Sequence, residues 1–228
     1  MIRIQSGFTL IEIAIVLMVV GLLLGGVQKG QQLVNIATEK NLTAEFKNIP
    51  LYIFSYQDRF NALPGDDLSV VHHFHGVIST TPLGAQGNGM IDGDWNSSIT
   101  TDESYLLWQH VRLAGLASGT IDIADANYLP RNTIGGLIGI QSGTASAAHS
   151  PIDAGPGLTH PIQGSYIVCS SGIPGKYVKH LDARLDDGDT ANGSMLATPT
   201  AGYETGAAIA TPTALIEDGL PYTVCLGV

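Results

Sequence analysis

From Phe8 to Val27 the chain is apolar and carries a single charged side chain, Glu12. At about 1.5 Å rise per residue such a run makes a helix of roughly 30 Å, the thickness of bilayer hydrocarbon. A helix of this kind has to lie in lipid or against other helices. Its one carboxylate, which costs roughly 2.5 to 3.5 kcal/mol near the bilayer centre, has to find a partner. The flanking charges are the initiator amine and Arg3 before the run and Lys29 just after it, and they lean toward an N-terminus in the cytoplasm.

A cleaved secretory signal combines a shorter apolar region, about 7 to 15 residues, with a small-x-small site beyond it. Here the apolar region is longer, and the small residue, Gly7, precedes it. Processing at Gly7 would leave the hydrophobic helix on the mature protein. An uncleaved signal anchor is the plainer alternative.

Ser6-Gly7-Phe8-Thr9-Leu10-Ile11-Glu12 resembles the class III signal of type IV prepilins and their relatives. The resemblance implies that prepilin peptidase, a membrane aspartyl protease, cuts between Gly7 and Phe8 and methylates the new amine of Phe8. Glycine suits the cut, because a Cβ would intrude where the protease grips extended backbone. The freed amine lies about four residues before Glu12, and in a filament of bundled helices the amine of one subunit can meet the carboxylate of the next, cancelling two charges that are costly alone. Glu12 is therefore the expected assembly residue and sets the axial stagger.

The organisation that follows is a leader at residues 1–7, a transmembrane and assembly helix at 8–27, its amphipathic continuation at 28–61 and a globular head at 62–228. Leu33, Ile36, Ala37, Leu42, Phe46, Ile49, Ile53 and Phe60 recur near helical spacing and leave Glu39, Lys40, Glu45 and Lys47 for solvent. Pro50 should kink this rod, and Ala62-Leu63-Pro64-Gly65-Asp66-Asp67 should end it. In the head, residues 102–116 read as a helix capped by Thr101 or Asp102, and residues 177–185 as a shorter one. Strands are expected at 136–140, 164–169 and 222–226, whereas 142–156 and 196–212, rich in small residues and proline, read as surface loops.

The expected fold is α+β: a long N-terminal helix packed on a small antiparallel sheet. The segments Tyr56-Gln57-Asp58-Arg59-Phe60, Glu103-Ser104-Tyr105-Leu106-Leu107-Trp108-Gln109-His110 and Leu185-Asp186-Asp187-Gly188-Asp189 resemble those of a broad group of prepilin-type proteins. Cys169 and Cys225 fall in the part expected outside the cytoplasm, where an oxidising compartment would pair them. The bridge would close a loop of about 57 residues, for a chain-entropy gain of about 4 kcal/mol, and staple the tail onto the sheet. A C-terminal disulfide loop of this kind adds to the pilin resemblance; two buried thiols are the other reading.

Lys and Arg number 10 against 20 Asp and Glu, a formal charge of −10, which argues against nucleic acid as a partner. Asp92, Asp94, Asn96, Ser98, Thr100 and Glu103 occupy alternating ligand positions of a calcium-loop template, although Ser97 stands where that loop needs glycine and no incoming helix is evident. Asp182, Asp186, Asp187 and Asp189 form a second acidic cluster, open to calcium or to a simple acid-rich turn. His72-His73-Phe74-His75 lacks the spacing of a zinc site and reads as a loop or helix edge. No catalytic or phosphate-binding motif is present, so the chain reads as a protein without an active site and, calcium apart, without a cofactor. Asn41, Asn96 and Asn192 begin short glycan-acceptor patterns.

The leading expectation is a structural subunit of a type IV pilus, major or minor, with a pseudopilin of a type II secretion system as the alternative. From a different class, the rival is a signal-anchored periplasmic protein that does not assemble. The partners implied are prepilin peptidase, the membrane, an inner-membrane assembly platform, and copies of the chain or other pilins. Before assembly the chain would cross the inner membrane once, and afterwards it would sit in a periplasmic or extracellular pilus or pseudopilus.

Overall fold

The apolar run and the amphipathic stretch form one helix, α1, over Leu10–Phe60, in a computed structural model that describes residues 9–155 and 160–228. The helix passes through Pro50, which is buried, without interruption. It stops where Asn61 turns to φ 51 while its N–H still bonds to the Gln57 carbonyl at 2.8 Å. A left-handed residue is a common helix stop, and Pro64 prevents a restart.

The chain divides into two compact units, Met1–Lys40 and Asn41–Val228. In the first, the described side chains from Thr9 to Ala37 are all exposed, Leu22 at 69% and Leu33 at 61% among them. In the second, burial begins at Leu42 and follows helical spacing through Phe46, Ile49, Ile53 and Tyr56. Glu45, expected in solvent, is a correction. It reaches sideways to accept hydrogen bonds from the Thr133 N–H at 2.8 Å and the Thr133 Oγ1 at 2.6 Å.

Among the described residues three further α-helices follow: α2 at Val70–Phe74, α3 at Glu103–Leu113 and α4 at Gly175–Leu185. Four strands, β1 at Ile138–Ser142, β2 at Tyr166–Pro174, β3 at Met195–Pro199 and β4 at Pro221–Gly227, pair antiparallel in the order β1-β2-β4-β3. This is the α+β architecture expected. Side-chain alternation gives the sheet two buried faces. Ile140, Val168, Ala197, Val224 and Leu226 join the α1 residues and Leu107, Val111, Val178 and Leu181 in the main core. On the opposite face Ile167, Cys169, Leu196 and Cys225 pack with Trp95, Ile152, Ile162 and Ala208.

Three expectations change. Residues 196–212 read as loop from their small residues and proline, yet β3 lies partly within them, with Met195 and Ala197 in the main core and Leu196 in the second. Residues 142–156 are not all surface, since Ile152 and Asp153 are buried. Asp102 stands at the N-cap of α3 but makes no capping bond, because its carboxylate accepts from Thr81 Oγ1 at 2.5 Å and Ser97 Oγ at 2.6 Å.

Cys169 and Cys225 form a disulfide. They face each other as directly paired residues of β2 and β4, with Cα atoms 4.1 Å apart. The bridge joins the tail to the sheet as expected, and the tail is itself one of the strands. It is β4, an interior strand, and both α4 and β3 lie within the disulfide-closed segment.

Candidate assembly site

At the start of α1, Thr9 and Glu12 close on each other. The Thr9 N–H and Oγ1 donate to Glu12 Oε2 at 3.2 and 3.0 Å, and the Glu12 N–H donates to Thr9 Oγ1 at 3.3 Å. This reciprocal pair is a capping box, which satisfies two of the backbone N–H groups that a helix N-terminus leaves open. Glu12 thus has a local role besides any partner in a neighbouring subunit. The signal was in the sequence as Thr9-Leu10-Ile11-Glu12, the Thr-x-x-Glu spacing. Glu12 Oε1 takes no part in the box.

Gly7 and Phe8, the expected cleavage pair, lie outside the described residues. Beyond Glu12, α1 is long and apolar enough to cross a membrane, and none of its most apolar window is buried. A helix apolar on every face suits lipid or a bundle of like helices, not water.

The acidic loop before α3 is built differently from a ligand cage. Glu103, fully buried, accepts the Asp92 N–H at 2.9 Å through Oε2 and the Ser79 Oγ at 3.3 Å through Oε1. Burial is the largest influence on its carboxyl and pushes it up to about 7, helped by the charges of Asp66 and Asp92 and opposed by the bonds from Asp92 and Ser79. Asp92 Oδ2 accepts from Asn88 Nδ2 at 2.7 Å, and Asp94 Oδ1 lies 3.5 Å from His149 Nδ1. Asn96 is half-buried, while Ser98 and Thr100 are exposed. The loop lines a cavity of about 440 Å³ with Thr81, Ile91, Gln141 and His149. Among the described residues no group of three or more His, Cys, Asp or Glu is gathered to hold a metal ion.

The histidine run is divided between tasks. His73 Nδ1 lies 2.9 Å from Asp67 Oδ2, which also accepts from the buried Tyr56 hydroxyl at 2.7 Å. His75 takes the left-handed C-cap of α2 at φ 58. The sequence reading did not single out His110, which is fully buried: Nδ1 accepts the Gly65 N–H at 2.9 Å, and Nε2 donates to the Val77 carbonyl at 2.8 Å. Burial lowers its pKa, so the ring is a neutral brace between two loops.

Residues 2–27 match the prokaryotic N-terminal methylation motif, the class III signal of type IV prepilin-like proteins. The motif implies processing by prepilin peptidase and assembly with other pilins, and together with the apolar helix it fits a membrane-anchored, type IV pilin-like or pseudopilin protein. No curated protein and no solved structure matches the chain.

Proposed function

We propose that this chain is a structural subunit of a type IV pilus, major or minor, cut between Gly7 and Phe8, methylated at the Phe8 amine and polymerised through α1. The observation that carries this reading is the methylation motif at residues 2–27 coinciding with a helical stretch whose most apolar window has no buried residue. Packed against copies of itself, that helix would hide surface that is otherwise stable only in lipid. Glu12 Oε2 serves the capping box, and Oε1 would accept the amine of a neighbouring subunit. On this reading the chain needs no active site, and the head supplies the exposed surface of the filament.

The test is a pair of substitutions in the native host. Gly7→Ala should leave a larger, unprocessed precursor that stays in the membrane. Glu12→Ala should be cut but largely absent from sheared surface filaments. Normal maturation of Gly7→Ala would overturn the processing step, and wild-type levels of filament with Glu12→Ala would overturn the role given to its charge.

A further inference from the structure

Asn88 and Asn192 are each followed by glycine, and both asparagines are exposed. In such a pair the glycine nitrogen can reach the carbonyl carbon of the asparagine side chain, because no Cβ obstructs its approach. The fold treats the two pairs oppositely. The Gly89 N–H donates to Asp66 Oδ2 at 2.7 Å. The Asn88 side chain is held at both ends, with Nδ2 donating to Asp92 Oδ2 and Oδ1 accepting the Met90 N–H, each at 2.7 Å.

Asn192 stands in the turn between α4 and β3, and its side chain is tied by one bond, from Nδ2 to Asp189 Oδ2 at 2.7 Å. The N–H groups of Ser194 and Met195 donate to Asp186 Oδ2 at 2.5 and 2.8 Å, whereas the Gly193 N–H has no acceptor among the described residues. The turn nevertheless needs its glycine. Gly193 has φ +83, and a Cβ there would stand 2.1 Å from Asp186 Oδ2.

We propose that Asn192 is a site of spontaneous deamidation in the folded head and that Asn88 is protected from it. The Gly193 nitrogen attacks Asn192 Cγ, the new N–Cγ bond replaces Cγ–Nδ2, and ammonia departs with the Gly193 amide proton. Water then opens the succinimide ring at Cγ to give aspartate, or at the Asn192 main-chain carbonyl to give isoaspartate. At Asn88 the same attack would first have to break the Gly89 bond to Asp66 and free the side chain from Asp92 and Met90.

Either product removes the donor that Asp189 holds and sets a carboxylate beside it, in a turn already crowded with like charge. Burial first, and then the charges of Asp186, Asp187 and Asp189, push the Asp182 carboxyl up to about 6 against the pull of the Gly188 amide. Isoaspartate also routes the main chain through Cβ just ahead of the Ser194 and Met195 bonds to Asp186, so the join between α4 and β3 loosens. The site is independent of the filament reading.

The full-length protein in detergent micelles, aged in mildly alkaline buffer and followed by peptide mass spectrometry, tests this. Asn192 should become about 1 Da heavier at least about tenfold faster than Asn88, the worth of one hydrogen bond to a charged group. In urea, where neither turn persists, the two rates should come together. Asn192→Asp, which mimics the aspartyl product, should melt about 2 to 4 °C below wild type. Equal rates in the folded protein, or an Asn192 that outlasts Asn88, would overturn the proposal, and an unchanged melting temperature would overturn the loosening. A glycan mass on Asn192 in protein from the native host would assign Asn192-Gly193-Ser194 to glycosylation and overturn the proposal equally.

Discussion

At the scale of single residues, Glu12 carries two roles that one substitution can separate. Gln at this position can still accept from Thr9 and keep the capping box, but it has no charge for a neighbour's amine. Glu12→Gln should therefore be processed normally and yet yield several-fold fewer sheared filaments. Wild-type filament levels would show that capping alone accounts for the residue. Glu103 and Asp182 predict a pH dependence of the opposite kind to the usual acid denaturation. Both carboxyls are raised on folding, from 4.5 to about 7 and from 3.8 to about 6. The folded chain thus keeps protons that the unfolded chain releases, so stability from these groups is highest at low pH and is lost as pH rises through those windows. Melting temperatures measured from pH 4 to pH 8 should show this decline, and Glu103→Gln should flatten its upper part; an unchanged profile in the variant would contradict the assignment. The carboxylates themselves were legible in the sequence. Their partners were not, because Ser79, Thr81 and Tyr56 reach Glu103, Asp102 and Asp67 only after the chain has folded.

At the scale of elements, the sequence was most legible where a local rule acts alone. The end of α1, the existence of α3 and α4, and strands β1, β2 and β4 follow from proline and glycine positions, helical spacing and β-branched runs. β3 escaped because Met-Leu-Ala-Thr-Pro has no strong strand preference of its own and is held by pairing with β4. The link between the end of α1 and α3 also depends on a backbone contact that no motif announces. Gly65 adopts φ +94, and a Cβ there would stand 2.4 Å from the Glu103 carbonyl oxygen. Gly65→Ala should therefore destabilise the head by about 2 kcal/mol or more, read as a lower urea midpoint at unchanged slope. A wild-type midpoint would mean that the turn can relax away from α3.

At the scale of the whole molecule, the strand order was the least legible feature, since placing the C-terminal strand between β2 and β3 is decided by long-range pairing. The disulfide was legible as a pair, but its position across two adjacent interior strands was not. Because β4 is already held on both sides, replacing both cysteines by serine should cost about 2 to 4 kcal/mol by chemical denaturation and leave a folded head. Complete loss of folding would show that the sheet depends on the bridge to form. The assembly helix was legible as an apolar run, whereas the leader was read from the resemblance of Ser6-Gly7-Phe8-Thr9-Leu10-Ile11-Glu12 to a class III signal, and that resemblance implies a particular covalent structure. Mass spectrometry of the N-terminal peptide, taken from protein in sheared surface filaments, should find Phe8 as the first residue, one methyl group heavier than the plain sequence. A filament protein that still begins at Met1, in a host with active prepilin peptidase, would contradict it.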